Sequence, residues 1–160
     1  MKRYCIDTSG LTHVWRDFYP PDIFPSLWKD IEDCISDGIL IAPDEVLEEL
    51  KAGGDDLYDW ARRTPALFVR HDVNIQSVVS SILAHPEHAK LLYSKHATIA
   101  ANADPFVIAT AQVHDCTVVS NEKVLLSPSP NINKIPNVCA DLGIEHLSVL
   151  EFIREQGWHY

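Results

Sequence analysis

Basic charge, long apolar runs and paired cysteines are scarce or missing in this sequence, and each absence removes a class of function. Its 160 residues carry 13 Lys and Arg against 23 Asp and Glu, a formal net charge of −10. General electrostatic affinity for nucleic acid goes with a basic surface, so any polyanion must meet a local basic patch or a bound cation. No run of about 18 apolar residues is available to span a bilayer, so no membrane association is expected. The opening Met1-Lys2-Arg3-Tyr4-Cys5-Ile6-Asp7 reaches a carboxylate too soon for a signal peptide, which makes a cytoplasmic location the expectation. Cys5, Cys34, Cys116 and Cys139 are widely spaced with no CxxC, so neither a zinc site nor a redox motif is indicated, and buried reduced thiols are expected. His85 and His88 have a spacing that metal ligands use, but Pro86 lies between them where a helix would be ending, which argues against a His site. With no internal repeat or linker either, and 46% hydrophobic content, the chain reads as one domain over residues 1–160.

What is present is an alternation of short apolar runs and helical stripes. Residues 3–6, 39–42 and 116–119 are apolar runs bounded by Asp, Gly or Pro, which suits buried parallel strands. Phe24, Leu27, Trp28, Ile31, Cys34 and Ile35 fall at spacings of three and four, and Gly38 follows as a helix stop. Ile75, Val78, Val79, Ile82 and Leu83 repeat the pattern. Residues 104–113, with Pro105 expected at the first helical position, form a helix apolar nearly all round and therefore buried. Ile144 to Leu147 reads as a last short strand, followed by Ser148 and Glu151 at capping-box spacing. The order predicts an α/β fold with a central, mostly parallel sheet of four to five strands flanked by helices, and its active site outside the carboxyl ends of the strands. Residues 127–133, with alternating Pro, read as an exposed loop.

Four acids fall at places where such a site would lie. Asp7 ends the first strand and Glu122 follows the third, although helix capping accounts equally well for Asp7 and a polar turn for Glu122. Asp104 opens the buried helix, where simple capping is again the plainer explanation. In the helix from about Asp44 to Ala52, Val46, Leu47 and Leu50 define a buried arc at roughly 100° per residue; Glu49 lies roughly 110° from its centre, Glu45 and Glu48 roughly 150°. Glu49 is thus the glutamate bordering the core, with Glu45 a second candidate. Crowded together without a cation, the four would raise one another's pKa values. Hard oxygen donors without a Cys or His set point to Mg²⁺ or Mn²⁺, and the matching chemistry is phosphodiester hydrolysis by metal-activated water.

These residues carry a resemblance. Ile6-Asp7-Thr8-Ser9, Glu49-Leu50, Asp104-Pro105-Phe106-Val107-Ile108-Ala109 and Ser120-Asn121-Glu122 are similar, in order and spacing, to the motifs of PIN-domain nucleases. Pro43-Asp44-Glu45-Val46-Leu47-Glu48-Glu49-Leu50-Lys51, Val119-Ser120-Asn121-Glu122-Lys123 and Ile135-Pro136-Asn137-Val138-Cys139 resemble a VapC-like branch of the DUF4411 type. The resemblance implies a single PIN-like domain and a Mg²⁺ site with Asp7, Glu49, Asp104 and Glu122 as metal ligands and catalytic residues. It further implies endoribonuclease activity on RNA, homodimerisation, and toxicity restrained by an antitoxin partner. Its last acidic position is usually Asp, whereas this chain has Glu122, and Asn121 is a candidate to share its role. Two other functions compete: a non-catalytic PIN-like module that binds RNA or protein through the same acids, and a phosphohydrolase using Asp7 as nucleophile, which would want an Asp where Ser9 stands. Lys51, Arg62, Arg63 and Lys123 are candidates for the local basic patch, or ordinary solvated surface.

Overall fold

The computed structural model describes residues 1–93 and 102–160. Five strands run parallel in one sheet: β1 (Arg3–Ile6), β2 (Leu40–Pro43), β3 (Phe68–Val69), β4 (Cys116–Val119) and β5 (His146–Leu147), in the spatial order β3-β2-β1-β4-β5. The central ladders align Cys5 with Ile41 on one side and with Val118 on the other. The chain builds outward from β1 through β2 to β3, then returns to the opposite side for β4 and β5. The reversal lies between β1 and β4, the crevice where parallel α/β sheets bind their ligands.

Successive side chains of a strand face opposite ways, which sorts the helices into two layers. Tyr4 meets Phe152 of α9 (Val149–Glu155), with ring centroids 4.8 Å apart, and Ile6 lies with Leu11 of α1 (Thr8–His13) and Trp28 of α2 (Pro25–Ser36) on that face. Cys5 faces the other way, its thiol donating to the Val107 carbonyl of α7 (Asp104–His114) at 3.6 Å. Helix α7 packs across β1 and β2 and is itself covered by α5 (Val73–Ala84). Its burial follows from its sequence: every residue from Val107 to Ala111 is shielded from water. Helices α3 (Asp44–Gly53) and α4 (Asp56–Arg63) follow β2, α6 (Pro86–Ala89) follows α5, and α8 (Ile135–Leu142) joins the long loop after β4 to β5.

The expected strands are present with ends moved by one or two residues: 39–42 becomes Leu40–Pro43, and 144–147 contracts to His146–Leu147. Strand β3 was not expected, because two residues are too few for a periodic signal. Pro105 occupies the second helical position rather than the first, because the helix starts at Asp104 after an Ala103 N-cap. The capping box of Ser148 and Glu151 is formed, and the four cysteines are buried and free. The loop 127–133 has no helix or strand, and it is tied down by Lys90, whose ammonium donates to the Ser129 carbonyl at 3.0 Å. No helix among the described residues is long and apolar enough to cross a membrane.

Gly10 joins the fold to the acids. A Cβ there would lie 2.8 Å from Ile6 Cγ1 and 3.3 Å from Asp7 Oδ1. Glycine to alanine inside a helix ordinarily gains about 1 kcal/mol. Here the methyl would press on a buried strand residue, an overpacking penalty of about 1–3 kcal/mol. Gly10→Ala should therefore lower the urea midpoint, and a rise would show that β1 and α1 have room to part.

Candidate active site

Strand alternation decides where Asp7 points. Its backbone is still extended, and its N–H continues the β1–β4 ladder by donating to the Val119 carbonyl at 3.0 Å. The side chain therefore falls on the side of Cys5, the α7 side, and helix α7 begins there with Asp104. Both carboxylates are only 2% exposed. Asp7 Oδ1 accepts the Gly10 N–H at 2.7 Å, as an N-cap does, and the Ser9 hydroxyl donates at 2.8 and 2.9 Å. Ser9 is held to that task because its oxygen accepts the Asn121 N–H at 3.1 Å. Burial pushes the Asp7 carboxyl up to about 7; the Gly10 and Ser9 hydrogen bonds oppose the rise, and the negative charges of Asp104 and Glu122 add to it. The capping explanation for Asp7 thus holds, and the electrostatic one holds beside it.

Asp104 is not the N-cap of its helix. Asn102, buried on the preceding turn, accepts the Asp104 N–H through Oδ1 at 3.1 Å and donates through Nδ2 to the Leu91 carbonyl at 3.2 Å. Asn102 went unnoticed in the sequence, where an amide two residues before Asp-Pro was the available signal. Glu49 reaches the same turn from α3, its Oε1 accepting the Ala103 N–H at 2.8 Å. Glu122 Oε2 accepts the Ile135 N–H at the start of α8 at 2.9 Å. Cys139 of α8 feels both Asp7 and Glu122, and its thiol is pushed up to about 12, chiefly by burial.

The structure thus brings Asp104 and Glu122 within electrostatic reach of Asp7 and joins Glu49 to the backbone beside Asp104. Among the described residues, no group of three or more His, Cys, Asp or Glu is placed to hold a metal ion as the side chains stand. The donor chemistry nonetheless suits a hard divalent cation, since the set is carboxylate oxygen throughout. Thr8 Oγ1, on the residue after Asp7, is buried with no hydrogen-bond partner, so a polar group there lacks the contact that burial normally demands. The fit lies in the type of donor, carboxylate and hydroxyl oxygen, that such an ion takes.

Glu45 behaves differently from expectation. The apolar arc placed it on the outer side with Glu48, but only Glu48 is exposed; Glu45 is 9% exposed and lies beside His71, Pro105 and Phe106. Its Oε1 meets His71 Nδ1, 2.5 Å away. Asn121 contributes its backbone N–H to Ser9. Of the basic candidates, Lys51, Arg62, Arg63 and Lys123 are all exposed, and Arg62 is paired with Asp59 at 3.4 Å. A separate cleft of about 680 Å³ lies between the 127–133 loop and α8, away from the acids.

The model of the family described as Domain of unknown function (DUF4411) matches residues 4–160. No curated protein matches the sequence. Among solved structures, the chain is similar to one in the crystal structure of VapBC2 from Rickettsia felis bound to a DNA fragment from their promoter. The identity is 11%, the TM-score 0.48, and the match covers 90% of this chain and 98% of that one.

The raised Asp7 carboxyl makes stability depend on pH with a definite sign. The folded state holds this proton more tightly than the unfolded chain, whose ordinary value is 3.8. Stability from this group is therefore complete below about pH 4 and lost as pH rises through about 7. At 1.36 kcal/mol per pH unit, the full swing is on the order of 4 kcal/mol. In EDTA, Asp7→Asn should melt above the wild type at pH 8 and converge with it near pH 4. Parallel melting curves across that range would mean that Asp7 titrates normally.

Proposed function

From the premise that the chain belongs to the DUF4411 family, we propose that it is a Mg²⁺- or Mn²⁺-dependent endoribonuclease of the PIN kind, with Asp7, Glu49, Asp104 and Glu122 as metal ligands and catalytic residues. The observation that carries this reading is the buried Asp7 at the β1–β4 crevice of a parallel sheet, its carboxyl raised chiefly by burial and further by the negative charges of Asp104 and Glu122. Capping of α1 accounts for the Gly10 and Ser9 hydrogen bonds of Asp7, but not for two further acids whose negative charges bear on it. A divalent ion held there supplies activation of water and charge neutralisation at the phosphate. The chain's own groups do the rest. Ser9 and Gly10 fix the orientation of Asp7, Asn102 fixes the turn that presents Asp104, and Glu122 ties the β4 loop to α8.

One observation favours the non-catalytic alternative, a PIN-like module binding RNA or protein: the described Glu49 and Glu122 carboxylates each accept a backbone N–H. Cleavage decides between the two. Purified protein should cut single-stranded RNA in Mn²⁺ or Mg²⁺ and stop in EDTA. Asp7→Asn and Asp104→Asn should each lose on the order of a hundredfold or more, the scale of removing one catalytic electrostatic group. Wild-type rates in either variant would end the assignment.

The VapC-like motifs extend the reading to a toxin held in check by an antitoxin and acting as a homodimer. The net charge of −10 supports a basic partner that places a cationic side chain among the carboxylates, where it would compete with the metal. Expression of the wild type without its genomic neighbours should arrest bacterial growth, and Asp7→Asn at equal protein level should not. Equal growth of the two cultures would remove the toxin reading and leave the nuclease untouched.

A further inference from the structure

Glu45 is a buried acid that the proposed chemistry does not use. One oxygen meets His71 Nδ1; the other, Oε2, is buried and has no hydrogen-bond partner. A buried carboxylate oxygen without a donor is unfavourable by a few kcal/mol, so such an atom points to a contact made when something binds. Glu45 also lines a cavity of about 310 Å³ whose other walls are His71, Val79, Leu83, Leu92, Pro105 and Phe106. Among the described residues its lining is largely apolar, with Glu45 the one acid, and its volume is at the small end of the range that ligand sites occupy. The His71 and Phe106 rings are 5.5 Å apart by centroid and tilted by 46°, giving an aromatic wall for a flat ligand.

The cavity adjoins the acids through the chain itself. Pro105 and Phe106 directly follow Asp104, and Glu45 precedes Glu49 by one turn of α3, about 6 Å along its axis. A strand of RNA with a phosphate at the acids therefore has a base within reach of the cavity. Single-stranded RNA is read by splaying bases out, stacking them on aromatic side chains and hydrogen-bonding their Watson–Crick edges.

A carboxylate accepts and does not donate, which selects among the bases. Uracil offers one N–H between two carbonyls. Adenine and cytosine each set an amino group beside an acceptor ring nitrogen, so one oxygen would face a lone pair. Guanine alone places two donors side by side, N1–H and the N2 amino group, to match two carboxylate oxygens. We propose that the cavity beside Glu45 is a base-reading subsite for an unpaired guanine, whose Watson–Crick edge donates to Glu45 while its ring packs on Phe106. His71 holds Glu45 Oε1 and so fixes the plane of the carboxylate. The inference rests on the nuclease reading for its substrate, but the subsite can be examined without cleavage.

The full-length protein in EDTA is titrated with GMP, AMP, CMP and UMP while the His and aromatic resonances are followed by NMR. The phosphate is common to all four, so differences report the base. GMP should perturb the His71 and Phe106 rings and bind at least about tenfold more tightly than UMP, the scale of a good base-edge contact. Glu45→Gln, nearly identical in shape, should remove the preference, and Phe106→Leu should weaken GMP. In Mn²⁺, cuts in a mixed-sequence RNA should then fall at a fixed offset from guanine, and Glu45→Gln should relax that rule. Selective GMP binding without cleavage would keep the subsite and end the nuclease reading. Cleavage with no guanine register, or four nucleotides that shift these rings equally or not at all, would overturn the subsite.

Discussion

The carboxylate of Asp7 sits where the central strand ends, and taking a charge of that kind out of water carries a penalty of several kcal/mol unless other groups replace its hydration. Two donors do part of this: the Gly10 N–H and the Ser9 hydroxyl, whose one proton is shared between both carboxylate oxygens. Each of those constrains something else. Gly10 must remain without a side chain, because Ile6 and Asp7 occupy the space. Ser9 must keep its hydroxyl aimed at Asp7, which the Asn121 N–H secures from the β4 side. The end of β1, the start of α1 and the loop after β4 are thereby locked around one charge that is still not fully compensated.

How much of this can be read from the sequence depends on whether a feature is local. Strands β1, β2 and β4, the buried α7 and the Ser148 capping box announce themselves within a few residues, and the parallel sheet follows from their alternation. The acids at strand ends are legible for the same reason: a carboxylate directly after an apolar run has few places to be except the carboxyl edge. What stays hidden is whatever depends on a partner distant in the chain. Strand β3 exists only because Ala42 and Pro43 pair with Phe68 and Val69. Asn102 matters only because Leu91 and Asp104 converge on it.

Helix α3 shows how a sound local rule can misplace a residue. Its apolar side chains alone put the centre of the buried arc near Leu50, with Glu45 on the far side. The observed burial of Glu45, Val46 and Leu50, with Glu49 half-buried among them, turns that centre by roughly 70°. On the Glu45 side the helix does not face open solvent, since His71, and Pro105 and Phe106 of α7, lie there. An amphipathicity argument assumes that acids face water. It fails where an acid is covered by the rest of the fold, as Glu45 is.

The buried Glu45 bears on how an acidic protein could handle a polyanion at all. A net charge of −10 gives no overall long-range attraction to RNA. Screening limits the repulsion as well, since at physiological ionic strength charges more than about 8 Å away are largely hidden. Under the proposed function, what remains is contact at short range: a cation among Asp7, Asp104 and Glu122 for one phosphate, and a base edge against Glu45. Phosphate contacts hold a strand without reading it, whereas base contacts read it. A protein with little of the first must depend on the second, and the same acidity that weakens its hold on RNA in general would make it selective about the RNA it does hold.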